Sequence, residues 1–243
     1  MNEADASRKV RQMFTQIAPS YDLLNHILSL EMDRMWRART AEILRPILER
    51  ADAKILDLCC GTGDLAFALG KRAKGRVWGA DFAHTMLVRA RAKSLEPGAG
   101  DLQRPIPFVE SDALRLPFAD GTFDLVAAAF GFRNLANYET GLQEISRVLV
   151  PGGMIAILEF TEPKPGLFGD FYRWYFRAVL PKLGGLISGD KAAYTYLPKS
   201  VARFFQPEEL KELMMLNCGF EEVEARVWTG GTVALHTGRK RGS

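Results

Sequence analysis

Between residues 55 and 64 the chain reads Ile55-Leu-Asp57-Leu-Cys-Cys-Gly61-Thr62-Gly63-Asp64, a short β-prone apolar run ending in a glycine-rich turn. Glycines at that place permit a tight turn and close backbone approach by a ligand at the carboxyl end of a strand. Four further β-prone runs follow, at Val77 to Asp81, Phe108 to Glu110, Phe123 to Phe130 and Met154 to Leu158. Helical patterns lie between several of them, from Leu65 to Lys71, Thr85 to Lys93 and Thr140 to Leu149; the last puts Leu142, Ile145, Val148 and Leu149 on one face. Strands alternating with helices require a mostly parallel sheet covered on both faces. Residues about 50 to 160 are therefore expected to form a doubly wound α/β core.

The flanks read differently. Val10, Met13, Phe14 and Ile17 have helical spacing that stops at Pro19, and Arg34 to Leu48 predicts a second helix. The end of the chain predicts a helix from Pro207 to Leu216 and strands around Glu222 to Val227 and Thr232 to His236. Residues 160 to 206 hold 11 of the 25 aromatic residues, which sets that segment apart from the core. A length of 243 residues suits one elaborated domain better than two. The formal charge of +3 is too balanced to suggest a nucleic-acid partner. Cys59, Cys60 and Cys218 have neither a disulfide framework nor metal-ligand spacing, so reduced thiols and no metal are expected. The start, Met1 to Val10, has no apolar stretch of a secretory signal, and no apolar run approaches the roughly 18 residues of a spanning helix. A cytoplasmic protein, soluble or peripheral to a membrane, is the expectation.

The glycine turn alone does not separate cofactors. Gly61, Gly63 and Ala66 satisfy a dinucleotide-binding pattern, with Asp81 placed to accept hydrogen bonds from both hydroxyls of a ribose. Three further features divide the possibilities. Asp57, an acid inside an apolar strand, suits a ligand with a cationic amino acid end and would repel a pyrophosphate. Asp112 and Ala113 follow another strand, where an acid can accept an adenine amino group and a small residue leaves room for the ring. Arg147-Val-Leu-Val-Pro151-Gly152-Gly153 precedes the fifth strand. In this order the features resemble the AdoMet-dependent class I methyltransferases.

The likeness extends further. Tyr21-Asp-Leu-Leu-Asn25 to Asp33-Arg-Met-Trp36 and Arg147 to Thr161 resemble the two signatures of the ubiquinone/menaquinone biosynthesis C-methyltransferases. Phe130-Gly-Phe-Arg133-Asn134, Tyr194-Thr-Tyr196-Leu-Pro-Lys-Ser200 and Gly230 to His236 are similar to that family too, so the match runs from about Val10 to Lys240. The chain departs from the usual family residues at Leu24 (Met), Asp33 (His), Ala129 (Ser), Val150 (Lys) and Thr161 (Ser). The resemblance implies a single domain over 1–243 with a seven-stranded, Rossmann-like, mostly parallel sheet. Its parts would be N-terminal helices (1–50), a cofactor-binding core (51–160), an aromatic substrate-facing or membrane-facing helical insertion (161–206) and a C-terminal helix with strands (207–243). It also implies that Asp57, Gly61, Thr62, Gly63, Asp81, Asp112 and Ala113 bind S-adenosyl-L-methionine. The implied reaction is C-methylation of a polyprenylated quinol in respiratory quinone biosynthesis, demethylmenaquinol to menaquinol or the corresponding ubiquinol precursor.

Such a ring carbon is nucleophilic when the neighbouring oxygen is ionised, and bringing a phenol of pKa about 10 to that state at pH 7 costs about 4 kcal/mol. Arg133, at the end of the fourth predicted strand, is expected to stabilise the phenolate or polarise a water, with Asn134 and Tyr21 as further catalytic candidates. His26, His84 and His236 are scattered and read mainly as structural, His236 lying in a familial run. Phe168, Phe171, Tyr172, Tyr175, Phe176, Val179 and Leu180 predict one wide apolar helix face. From Thr161 to Gln206 seven basic residues face three acidic ones, a net +4. That segment could wall an isoprenoid tunnel, rest on an anionic membrane surface, or pack on the sheet or a second subunit. A homo-oligomer, a quinone-biosynthesis complex, a different lipid-like acceptor and a non-catalytic AdoMet-binding role all stay open at this point.

Overall fold

The computed structural model describes residues 3–18, 29, 31–96, 102, 104–175, 178 and 191–242. Its centre is a seven-stranded sheet built on β1 (Lys54–Leu58), β2 (Arg76–Asp81), β3 (Phe108–Glu110), β4 (Phe123–Ala129), β5 (Leu149–Phe160), β6 (Phe220–Trp228) and β7 (Val233–Lys240). Their order across the sheet is β3-β2-β1-β4-β5-β7-β6. The first five run parallel, and β7 inserts antiparallel between β5 and β6. The chain leaves β1 toward β2 and β3, then returns to place β4 on the other side of β1. Strand order therefore reverses between β1 and β4, where an open α/β sheet forms its ligand crevice.

Helices cover both faces, which explains why the central strands are nearly continuous apolar runs. On one face Trp36 from α2 (Met32–Ile43), Leu48 from α3 (Arg45–Leu48), Leu65 and Leu69 from α4 (Asp64–Gly70) and Leu87 from α5 (His84–Lys93) pack on Ile55, Val77, Leu125 and Leu158. On the other, Leu142 and Ile145 from α6 (Tyr138–Val148) and Leu210 and Met214 from α9 (Pro207–Asn217) pack on Leu56, Val126 and Ile155. A third cluster joins the end of α1 (Glu3–Ile17) to Met86 of α5 and to Val201 of α8 (Lys191–Arg203). Tyr172 of α7 (Leu167–Trp174) packs against it.

All five core strands and both C-terminal strands predicted from sequence are present, with shifted ends. The predicted helix Arg34 to Leu48 is two helices: Pro46, which cannot donate and crowds the carbonyl of the preceding turn, falls in the first turn of α3. The helix expected from Thr140 begins at Tyr138, because Asn137 caps it by accepting the Thr140 amide at 3.0 Å. β5 is twelve residues long, well beyond Met154 to Leu158, because Leu149 already pairs with Phe123 and β7 pairs with it as far as Phe160. Of the predicted aromatic helix, α7 supplies the first part. Phe176, Val179, Leu180 and the side chains of Phe168 and Phe171 lie outside the described residues.

Candidate active site

At the carboxyl ends of β1, β2 and β4 a cavity opens that encloses about 670 Å³, its mouth included. Two residues beside it hold left-handed backbone without being glycine: Cys59 after β1, with φ 54°, and Phe130 after β4, with φ 60°. Such conformations cost about 1 kcal/mol or more and persist where the surroundings impose them. Between the two strand ends there is no room to spare, for a Cβ on Gly131 would sit 2.5 Å from the Cβ of Cys59. The turn after β1 continues through Gly61 (φ 55°) to Gly63 (φ 89°), which starts α4. Both glycines are thus used for their positive φ.

Asp81 ends β2 and is 6% exposed. Its Oδ2 accepts the Gly61 amide at 2.9 Å and its Oδ1 the Ala83 amide at 2.8 Å, so one carboxylate ties the β1 turn to the start of α5. Burial raises its pKa to about 6, against the lowering effect of the Ala83, Gly61 and Phe82 amides and of Arg11. Asp57, inside β1, is buried with neither carboxylate oxygen hydrogen-bonded. Desolvation pushes it well above the usual carboxylate range; the nearby Ala66 amide, which makes no hydrogen bond of ordinary geometry to it, and Arg37 pull it back, and Asp81 and Asp64 push it further. Two unsatisfied buried oxygens behind a glycine turn fit a ligand that brings hydrogen-bond donors or a positive charge.

The loop after β3 supplies another wall. Asp112 Oδ1 accepts the Leu114 amide at 2.9 Å, shaping the turn around buried Ala113. The Ser111 amide donates to the Asp81 carbonyl at 2.9 Å, and its hydroxyl is buried with no partner. Below the glycine turn runs an ion network. Arg37 meets Asp33 at 2.5 Å and Asp64 at 3.6 Å, and Lys93 meets Asp64 at 2.5 Å and the Thr62 hydroxyl at 3.3 Å. Asp33, which stands where the resembling family usually has His, pairs within α2, and Arg37 is the residue that joins α2 to Asp64, the first residue of α4.

Beyond β4 a short turn, Phe132–Asn134, carries the predicted catalytic pair. Arg133 is 8% exposed and its guanidinium faces inward. It donates to Glu159 at 2.7 Å, to Ser200 at 3.2 Å and to the Phe130 carbonyl, and its face lies over the Phe160 ring. Glu159, fully buried, also accepts the Arg133 amide at 3.1 Å and its neighbour Phe160's amide at 2.9 Å. Asn134 lines the cavity; its Oδ1 accepts the Tyr196 hydroxyl at 3.0 Å, and its Nδ2 is buried without a partner.

Of the residues proposed from sequence, Gly61, Asp81, Asp112, Ala113 and Asn134 meet on the cavity wall. Asp57, Thr62 and Gly63 stand outside that wall, in and around the glycine turn. Arg133 also stands off the wall; its Nε is directed to Ser200 and its Nη1 to Glu159 and the Phe130 carbonyl. Tyr21 lies outside the described residues. His236 is buried in β7, where its Nε2 meets the Pro207 carbonyl at 2.8 Å, and it does not line the cavity. Sequence reasoning did not assign Phe14, Phe82, Met86 or Ser111 to the wall. Phe82, directly after Asp81, and Ser111, directly before Asp112, had a positional signal; Phe14 arrives from α1, far away in the chain.

Residues 1–240 match the model of the ubiE/COQ5 methyltransferase family. A demethylmenaquinone methyltransferase of Thermus thermophilus is 52% identical over 93% of this chain and 99% of its own length. One from Deinococcus radiodurans is 46% identical over 99% of this chain and 96% of its own. Among solved structures, a SAM-dependent methyltransferase of Thermotoga maritima, described as a possible histamine N-methyltransferase, superposes with a TM-score of 0.66 at 20% identity, covering 95% and 99% of the two chains. The cyclase SpnF does so at 0.63 and 16% identity, covering 98% and 97%. Likeness at such low identity is likeness of fold, and a fold hosts more than one chemistry.

Proposed function

Because the chain belongs to the ubiE/COQ5 methyltransferase family and is an AdoMet-dependent methyltransferase, we propose that it methylates a ring carbon of a polyprenylated quinol, with demethylmenaquinol as acceptor. The observation that carries this is the 52% identity over nearly full length to a protein named demethylmenaquinone methyltransferase. When bound, AdoMet supplies a sulfonium-activated methyl group.

The residues present fit that cofactor. Asp81 offers carboxylate oxygens suited to ribose hydroxyls, and the buried, unpartnered oxygens of Asp57 favour the cationic amino end through the Gly61-Thr62-Gly63 turn. Ser111, Asp112 and Ala113 suit the adenine, with Phe82 and Met86 as apolar walls. On the acceptor side the unpartnered Nδ2 of Asn134 is a donor for the quinol oxygen. A hydrogen bond to a charged oxygen contributes about 1.5–3 kcal/mol, a large part of the roughly 4 kcal/mol that ionising a phenol at pH 7 costs. Arg133 acts by holding the turn that presents Asn134, its Nε being directed to Ser200 and its Nη1 to Glu159 and the Phe130 carbonyl.

No helix among the described residues is long and apolar enough to cross a membrane. We further propose that α7 rests on an anionic lipid surface, where a polyprenylated acceptor resides. Leu167 and Trp174, 95% and 58% exposed, lie seven residues apart on one face of α7, within the segment of net charge +4.

Incubation with labelled AdoMet and, separately, reduced demethylmenaquinol and a demethylated polyprenyl benzoquinol, followed by mass analysis, tests the acceptor. Methyl transfer to the naphthoquinol ring carbon is expected. Transfer to neither quinol overturns the proposal and returns the chain to another acceptor or to a cofactor-binding role.

A further inference from the structure

We propose that Tyr196 is a positioning residue that sets which end of the Asn134 amide faces the cavity, and so which group the acceptor oxygen meets. The proposal rests on the assignment of Asn134 as the donor to that oxygen.

The main chain of Asn134 is held firmly. Its amide donates to the Gly131 carbonyl at 3.1 Å, and the neighbouring Arg133 carbonyl accepts the Tyr138 hydroxyl at 2.9 Å. What stays free is rotation of the side-chain amide, which exchanges an acceptor oxygen for a donor nitrogen at nearly equal size. Tyr196 breaks that symmetry by donating its hydroxyl to Oδ1 at 3.0 Å, leaving Nδ2 buried and unpartnered. An unpaired buried donor costs about 1–3 kcal/mol, which a substrate oxygen would recover. The reversed amide would show a carbonyl oxygen to a developing phenolate and repel it. Burial raises the Tyr196 phenol above its ordinary value, with Arg133 opposing, so the hydroxyl keeps its proton.

The same helix face supports the neighbour. Ser200, one turn after Tyr196 on α8, accepts from Arg133 Nε at 3.2 Å and donates to the Leu197 carbonyl at 2.9 Å. Two hydroxyls of α8, four residues apart, thus address Arg133 and Asn134 in turn. Because α8 belongs to the segment that follows the cofactor-binding strands, acceptor-side structure orients a side chain at the end of β4.

Tyr196→Phe, Asn134→Ala and the double variant test this, compared for kcat, acceptor KM, AdoMet affinity by calorimetry and thermal midpoint. The expected result for Tyr196→Phe is a loss of about tenfold in kcat, with AdoMet affinity and midpoint close to wild type. In the Asn134→Ala background the same change should have no further effect, because the group it orients is gone. A readout independent of turnover is the side-chain amide resonance pair of Asn134, identified by its loss in Asn134→Ala. It should be single in wild type and split or broadened by exchange in Tyr196→Phe. Equal fold-losses in both backgrounds, or an unchanged amide pair in Tyr196→Phe, would overturn the assignment. A wild type that methylates no quinol defeats the acceptor proposal instead, while the resonance comparison still decides on Tyr196.

Discussion

The amide of Gly61 donates to Asp81 Oδ2 at 2.9 Å, so the acid at the end of β2 closes the turn that follows β1. Under the proposed function this carboxylate also receives the ribose hydroxyls of AdoMet, and its burial sets its pH behaviour. With a folded value of about 6, Asp81 takes up a proton in the folded chain before it does so in the unfolded one, where the value is about 3.9. Its contribution to stability without ligand is therefore fully present below about pH 4 and lost as pH rises through 6. AdoMet binding should have the opposite dependence, weakening up to about tenfold per unit below pH 6 as the ribose acceptor is protonated. Calorimetric titration between pH 5 and 8 checks this, and Asp81→Asn should bind weakly with the slope abolished.

Gly131→Ala should destabilise the fold by about 1–3 kcal/mol, since the new methyl would lie 2.5 Å from Cys59 Cβ and 3.0 Å from its carbonyl oxygen. Gly131 itself has φ −116°, so the loss is one of packing and not of backbone conformation. Adding Cys59→Gly removes the opposing Cβ and relaxes a residue at φ 54°, and should restore a large part of the loss in urea unfolding. No recovery would mean that the two strand ends do not constrain each other.

Arg133 and Glu159 form a buried pair at 2.7 Å, and removing one charge strands the other. Arg133→Met should cost about 3–5 kcal/mol. Arg133→Met with Glu159→Gln, which keeps an acceptor for the Arg133 and Phe160 amides, should regain at least half of that while turnover stays depressed. Denaturant unfolding together with single-turnover rates separates the two effects. If stability and turnover return together, the arginine acts through folding alone.

Leu167→Glu combined with Trp174→Glu should weaken sedimentation with anionic vesicles by tenfold or more, because it puts two charges where an apolar face would enter the interface. Turnover of a short-chain, water-soluble acceptor should be unchanged. Unaltered vesicle binding would place the contact elsewhere.

The parts legible from sequence are those written in local pattern. β1 and its turn were readable because Gly61 and Gly63 must adopt positive φ at the end of an apolar strand. Asp81 was readable as an acid at the end of the next strand. The helix ends slipped where a single side chain decided them, as Asn137 did for α6 and Pro46 for α3. Arg133 could be placed at the end of β4 but its direction could not, since Glu159 lies 26 residues further on and captures the guanidinium only after β4 and β5 pair.

By itself, then, the sequence determined the alternation of strands and helices, the glycine turn with its acids, and the address of the site at the strand ends, all consequences of backbone stereochemistry and periodic burial. Tertiary structure alone decided which polar atoms stay free at that address. Tyr196 reaches Asn134 across 62 residues, and Phe14 reaches the cavity wall from the first helix. Whether a buried donor is satisfied or offered to a ligand depends on what packs beside it, and neighbours in space are set by the fold as a whole.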